Sequence, residues 1–576
     1  MLTAWLKSNG FRYGEIMKNK TIQLVLLINL ILFLIPLSGQ EIESKNKIDS
    51  IRSWNIQVPE SYLERIEKTG TVLELSLRES VRKALSNNLE IAIENFNGNL
   101  SYQQIVKTSG FYDPGLSFTM GYNARENPTT SILDGARGGE LSVLSSNGFS
   151  FDTNLNQNVK GGGALRLLWS NGRNFTNSFF FNVNPSFNTN FDVSFTQPLW
   201  RGFGRNSATE RQLIISNLDI KINDAQFKQR VVEIIQRVQN QYWELVYAIE
   251  NFETQRKSLG LAVVQDRNNQ KRVEIGVMAP IEVTSSQAEI ASREQSLIQS
   301  EVQIINAQNE LKRLLSPDPM ASIWDLTLIP IDRPQIRDVT ISLKEAIGMS
   351  VENRPELERI RLQIEQNGVN RRFYKKEGKP KVDLRANFGS LGNSGRVLKT
   401  LYMEDGIFGI PTQTPDLEDP RYGNFGTAWN QAFAFDFVNW GLYVDVTIPL
   451  RNRSNKSDVT TTKIRENQLK NEMRNQKQII VVEVRNAYET IATRKKSLEA
   501  ARAASLLAHE QLNGENKRFE AGLSTNFEIL RLQRDLAESQ VRELRNEVDY
   551  ELALASLQKA IYTIVNENDI VLARQN

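Results

Sequence analysis

Proline is missing from two long stretches of this 576-residue chain, one between Pro198 and Pro280 and one from Arg451 to the end. Both are rich in Glu, Gln, Lys, Arg, Leu and Ala, the residues that lose least on entering a helix. Apolar residues recur in them at a spacing near 3.5. Leu498, Ala501, Ser505, Ala508, Leu512 and Phe519 form one seam, answered by Ala537, Val541, Leu544, Val548 and Ala555. Earlier, Phe227, Val231, Ile234, Val238, Leu245, Ala248 and Phe252 form another, and its expected partner is Ala291, Ile298, Val302 and Ile305. Such seams predict coiled-coil-like pairing of helices. A helix of roughly 70 residues at 1.5 Å each extends about 100 Å, too long for a compact globule. With their remaining faces polar, helices of this kind line water or bridge compartments.

The chain also repeats itself. Leu75–Glu90 matches Ile341–Glu356; Phe195-Thr-Gln-Pro-Leu199 matches Val446-Thr-Ile-Pro-Leu450; Lys271-Arg-Val-Glu-Ile-Gly276 matches Lys517-Arg-Phe-Glu-Ala-Gly522. Pro114 and Pro380 each precede an alternating segment in the same register. The period exceeds that of any solenoid, so each copy is half of a duplicated domain. Within each half the order is a short helix, strands, a long helix, a tight break and a second helix.

The strand segments alternate with a period of two, which puts one set of side chains on each face. Leu116, Phe118, Met120 and Tyr122 alternate with Ser117, Thr119, Gly121 and Asn123; Phe191, Val193 and Phe195 with Asp192, Ser194 and Thr196. In the second half Val382, Leu384, Ala386 and Phe388 alternate with Asp383, Arg385 and Asn387, and Leu442, Val444, Val446 and Ile448 with Tyr443, Asp445 and Thr447. An apolar face opposite a charged one suits an outer-membrane barrel with a wet lumen. Four strands cannot close a barrel, since single-chain barrels begin at about eight, so several chains share one. The Gly-, Asn-, Ser- and Phe-rich residues 123–190 contain further alternating pieces, Phe149–Leu155 and Leu165–Trp169, which either extend an extracellular hairpin or add membrane strands. The long extracellular insertion is the preferred reading because the second half offers no matching strands, and its counterpart Ser390–Asn439 reads as an irregular loop.

The N-terminus agrees with export. Lys18 and Lys20 precede an apolar run from Ile22 to Leu37 closed by Ser38 and Gly39, which reads as a signal peptide over residues 1–39 with Met17 as the true start. The chain has no Cys and a single His, His509, which removes disulfides and thiolate metal sites. Neither a cofactor nor a catalytic frame is expected. A net charge of +3 gives no argument for a nucleic-acid partner.

Two SLxE[SA] helix starts (Ser76–Ser80 and Ser342–Ala346), the run Thr196-Gln-Pro-Leu-Trp-Arg-Gly202, and two [KR]-x-E-x-G breaks with Glu282 and Glu528 six residues beyond each Gly together resemble the TolC-like outer-membrane efflux family (outer-membrane factors). The resemblance covers most of the chain. It implies an α+β fold, internally duplicated: an all-α helical barrel of long coiled-coil-like helices joined to a β-barrel shared between protomers. It also implies a homotrimer giving four strands per chain, contact with outer-membrane lipid, helices in the periplasm, a periplasmic adaptor docked on the tips, and an inner-membrane pump of RND or ABC type behind it. One departure is Arg451-Asn-Arg-Ser-Asn455 where the first copy has Trp-Arg-Gly-Phe-Gly204.

The expected layout runs from an equatorial segment at 40–72 through a first repeat at 73–315, with a long helix 206–275, a tip 276–281 and a helix 282–315. A linker at 316–340 leads to a second repeat at 341–563, with strands at about 381–389 and 441–449, a long helix 455–521, a tip 522–527 and a helix 528–563. A tail at 564–576 follows. At the tips, Gly suits the left-handed helix terminus and Pro280 cannot continue the helix. Glu282, Glu528 and Arg531 are the expected entrance and gating residues. Gly276, Val277, Pro280, Gly522, Leu523, Ser524 and Thr525 are the expected tip turns and adaptor contacts by family analogy. The reading set against this one is a periplasmic or surface coiled-coil scaffold that transports nothing.

Overall fold

The computed structural model describes residues 58–69, 71–129, 143–178, 180–402 and 409–568; the expected signal peptide lies outside them. Two compact units divide the chain: one holds Leu259–Ser292 with the segment ending at Ser61, the other Tyr62–Ser258 and Arg293–Asn576.

The duplication is explicit in the elements. After α1 (Tyr62–Thr69) and β1 (Val72–Leu75), the first half contains α2 (Leu77–Asn87), α3 (Leu89–Ser109), four strands β2 (Gly115–Pro128), β3 (Val143–Val159), β4 (Gly163–Thr176) and β5 (Val183–Pro198), then α4 (Ala208–Glu274) and α5 (Ile281–Leu315). β6 (Thr327–Pro330) opens the link to α6 (Leu343–Asn353), α7 (Pro355–Glu377), β7 (Lys381–Tyr402), β8 (Gly409–Pro415), α8 (Phe425–Phe433), β9 (Phe437–Thr447), α9 (Arg453–Glu520), α10 (Asn526–Ala560) and the short α11 (Ile564–Glu567). The long helices have 67 and 68 residues and their return helices 35 each.

The SLxE motifs are helix starts for a physical reason. Ser76 and Ser342 each cap the N3 backbone of the helix that follows, and Glu79 and Glu345 reach back to the serine backbone at 3.0 Å. These hydrogen bonds hold both carboxyls below the usual glutamate range and satisfy amides that an uncapped helix leaves open.

α9 buries one stripe, in which Val484, Ile491, Leu498, Ser505, Leu512 and Phe519 recur every seventh residue. Each large apolar side chain buried this way contributes about 1.5–3 kcal/mol. In the central part of α4, burial extends around most of the helix: Ile234, Ile235, Val238, Tyr242, Leu245 and Phe252 are all at or near zero exposure. α10 lies between, tied to α4 by Arg545 on Glu244 (2.9 Å) and to α5 by Arg293, which donates to the Leu530 carbonyl at 3.1 Å. β1 pairs in parallel with β6, from Val72↔Thr327 to Leu75↔Pro330.

One expected seam is corrected. On α5 the buried stripe is Leu297, Ile304 and Leu311, whereas Ile298, Val302 and Ile305 are half exposed. The helix carries two apolar stripes one residue apart, and periodicity alone does not say which of them the same chain covers.

The sheet is corrected as well. Its order is β2-β3-β4-β5-β7, with β9 also on β7 and the short β8 on the far end of β7. Residues 123–190 thus supply two further full-length strands rather than a long loop: β3 pairs with β2 from Gly115↔Asn156 to Pro128↔Val143, and β4 with β5 from Ala164↔Thr196 to Asn174↔Ser186. Ser390–Asn439 is no irregular loop either; it holds the outer half of β7, β8, α8 and the start of β9. Phe149–Leu155 and Leu165–Trp169 alternate as strands do. Alternation leaves open whether they extend an extracellular hairpin or join the sheet, and pairing along their full length with β2 and β5 decides for the sheet.

Candidate functional site

Each helical hairpin turns on the same device. Gly276 and Gly522 both have φ +76, a conformation open to Gly at little cost. Gly276 N–H donates to the Val273 carbonyl and Val277 N–H to that of Arg272; Gly522 and Leu523 repeat this on Phe519 and Arg518. This paired pattern satisfies the last carbonyls of α4 and α9. Pro280 then precedes the first residue of α5, and Thr525 caps α10, its hydroxyl accepting from Glu528 N–H.

Glu282 and Glu528 stand in the first turns of their return helices, where a carboxylate complements the helix dipole. Glu528 is engaged on its own helix: Arg531 donates to its carboxylate from Nε at 3.0 Å and Nη2 at 2.6 Å, and also lies 3.9 Å from Asp535. The carboxylate raises the Arg531 guanidinium above its ordinary value. Val277 and Leu523 are 70% exposed. Ile275, Ile281 and Phe527 join them as exposed apolar residues, and sequence reasoning missed these three. Their signal was apolar character beside a helix-breaking Gly and off the heptad seam.

The sheet has one apolar and one polar face. Paired register puts Leu116, Phe118, Met120, Phe151, Leu155, Leu165, Leu167, Phe191, Val193, Phe195, Leu384, Phe388, Trp440, Leu442 and Val444 on one side. The other side carries Asp152, Arg166, Asp192, Lys381, Asp383, Arg385 and Asp445. Several of these charges are paired along the face, Lys381 with Asp383 and Arg385 with Asp445 at 3.4 Å. β2 and β9 are the free edges, and their apolar residues are exposed: Leu116, Phe118, Met120 and Tyr122 on one, Trp440, Leu442, Val444 and Val446 on the other.

A profile of the family described as outer membrane efflux protein matches residues 81–316 and 346–561, most of the chain. This chain belongs to the outer membrane efflux protein family. Among solved structures the efflux chain is similar to the Campylobacter jejuni CmeC outer membrane channel, with 13% identity over 90% of this chain and 94% of that one and a TM-score of 0.59. It is similar to the open state of the Neisseria gonorrhoeae MtrE outer membrane channel at 15% identity over 84% and 88% of the two chains, TM-score 0.56. The outer membrane protein VceC from Vibrio cholerae gives 12% identity over 84% and 95%, TM-score 0.56. At these identities the likeness shows the fold. Comparison with curated protein sequences finds no match.

The efflux family places the chain in the outer membrane as a channel subunit of an efflux pump, and the scaffold reading is not favoured. The Trp-Arg-Gly-Phe-Gly204 departure also acquires a cause. Gly162, in the β3–β4 turn, sits so close to this run that a Cβ on it would lie 2.3 Å from the Gly202 carbonyl, and Gly204 N–H donates to the Gly161 carbonyl at 3.0 Å. Among the described residues the second half has no hairpin at this junction, and Asn452 takes the left-handed position there with φ 40.

Proposed function

We propose that three copies of this chain close one β-barrel in the outer membrane and one helical tunnel reaching from it into the periplasm. The observation that carries this is the pair of free sheet edges, β2 and β9, both lined by exposed apolar residues on the same face. Unpaired strand edges are untenable in hydrocarbon, and pairing β2 of one copy with β9 of the next removes both of these. The apolar face then meets lipid and the charged face lines a water-filled exit. The uncovered stripes support the same assembly: Ile298, Val302 and Ile305 on α5, Leu89, Ile93, Phe96 and Leu100 on α3, and Ile479 and Val482 on α9 all await helices from a neighbouring copy.

In this reading the tunnel is the exit duct of a tripartite pump. Gly276, Val277, Pro280, Gly522, Leu523, Ser524 and Thr525 meet a periplasmic adaptor protein, with Ile275, Ile281 and Phe527 adding apolar contact. An inner-membrane pump of RND or ABC type lies behind the adaptor. Glu282, Glu528 and Arg531 surround the entrance, where Arg531 offsets the charge of Glu528.

The test is the native mass of the protein extracted from outer membranes in mild detergent, corrected for bound detergent. Three protomers are expected; a monomer in the soluble periplasmic fraction would overturn the shared barrel.

A further inference from the structure

The apolar face of the sheet is broken at one place. Asn171 in β4, Thr189 in β5, and Ser390, Gly392 and Ser394 in β7 stand on that face by register, yet Asn171, Thr189, Ser390 and Ser394 are essentially inaccessible. Their cover is α8. Trp429 Nε1 donates to Asn171 Oδ1 at 2.7 Å, and the Thr189 hydroxyl donates to the same oxygen. Asn393 N–H donates to Gln431 Oε1 at 2.9 Å, and the Ser394 hydroxyl to the Asn424 carbonyl at 2.7 Å. A Cβ on Gly392 would lie 1.9 Å from the Ala428 carbonyl, so the helix rests directly on the strand. Around this polar notch, Phe425 packs on Phe151 and Phe187, Trp429 on Trp169, and Phe433 on Trp169 and Phe191.

The height of the helix is defined as well. From Phe195 to Phe187 this face of β5, interrupted by Thr189, runs about 26 Å along the strand at ~3.3 Å per residue, or roughly 20 Å of height at a strand tilt of ~35–45°, most of the ~25 Å apolar band of outer-membrane barrels. At the level of Phe187 and beyond it the same face turns polar, at Arg173, Asn147 and Glu126. After the helix, Phe435 holds a left-handed conformation, φ 59, at a terminus where Gly is usual. Its ring packs on Phe388, and Phe433, Phe435 and Phe437 remain about half exposed beside Trp440.

We infer that α8 is a membrane-embedded helix on the lipid side of the barrel, sealing the polar notch at the outer edge of the hydrocarbon band and presenting Phe433 and Phe435 to bilayer lipid at the acyl–headgroup boundary. A polar notch on a lipid face is costly unless covered, and aromatic side chains favour that boundary. An aromatic residue in a conformation that strains it fits a position where ring contact with lipid and Phe388 matters more than backbone ease. This inference rests on the proposed barrel, whose apolar face meets lipid.

The chain has no Cys, so single-cysteine variants carry one nitroxide each. Phe433→Cys, Leu442→Cys and Asp445→Cys are reconstituted separately in phosphatidylethanolamine–phosphatidylglycerol vesicles, and accessibility to oxygen and to a water-soluble nickel chelate is measured. The expected oxygen-to-nickel ratio at 433 matches that at 442 and exceeds that at 445 severalfold. A lipid-exposed label at 442 with a water-exposed label at 433 overturns the inference alone. Water exposure at both overturns the barrel and the inference with it. Adding Gly392→Ala is expected to raise nickel access at 433 severalfold while 442 stays unchanged; an unmoved label at 433 overturns the docking through the notch.

Discussion

The ends of the two helical hairpins have one turn geometry and two different interiors. Ten residues before Gly276 stands Asp266, and ten after it Ser286; ten before Gly522 stands Leu512, and ten after it Leu532. In the first hairpin the Ser286 hydroxyl donates to the Asp266 carboxylate, and Gln270 donates to it as well at 2.6 Å. In the second, Leu512 and Leu532 pack with Leu536 into a small apolar cluster. Gln265, Asn269 and Glu289 extend the buried polar layer of the first hairpin, while Phe519 and Ile529 extend the apolar layer of the second. An apolar layer stabilises in proportion to the area removed from water. A buried hydrogen-bonded carboxylate gives little net stability but enforces one register. Duplication therefore supplied two equal frames, and the layer near each tip distinguishes a hairpin held by packing from one held by polar pairing.

The harshest way to break this contrast is to import the polar layer into the second hairpin. Leu512→Asp with Leu532→Ser is expected to destabilise that end by roughly 3–5 kcal/mol, read as faster amide exchange over the ends of α9 and α10. A loss under about 1 kcal/mol would mean the layers are interchangeable. The converse exchange, Asp266→Leu with Ser286→Leu, is expected to slow exchange over the end of the first hairpin, a gain of about 1–2 kcal/mol. Unchanged or faster exchange would show that the polar layer is the better fit there. The smallest effect concerns the tips. Arg531 has Ser285 as its counterpart nine residues beyond the first tip glycine, so the pairing with Glu528 belongs to the second tip. In planar bilayers Arg531→Ala is expected to shift the reversal potential toward stronger cation preference, and Glu528→Gln to shift it the opposite way. Identical potentials for both variants and the parent would remove these residues from the entrance.

Legibility differed by element. The long helices were plain in the sequence, because proline absence and a strict heptad from Val484 to Phe519 leave one reading. The tip glycines were equally plain, since each ends a seam. The α5 seam is Leu297, Ile304 and Leu311 and not the expected one because Leu297 and Ile298 both begin apolar stripes, and only packing distinguishes the one this chain covers from the one it leaves exposed. The β3–β4 hairpin was legible as alternation in Phe149–Leu155 and Leu165–Trp169, but its place in the sheet was not, because the second half has no matching pair of segments and Asn171 interrupts the pattern where α8 covers the sheet. The partnership of Arg531 with Glu528, three residues apart on one helix, was available from spacing alone.

The β3–β4 hairpin has one further consequence. Barrel diameter grows roughly in proportion to strand number, so a trimer contributing six strands per chain instead of four has a mouth about half as wide again and roughly twice as open in cross-section. The helices of the duct are not increased in number by that hairpin. In the proposed trimer, mouth and duct therefore scale independently, which would leave the size limit on cargo to the duct and its tips. The two strands of the hairpin are joined by one glycine turn that rests on Gly202, and in the proposed barrel the width of the mouth is a modular property of the chain.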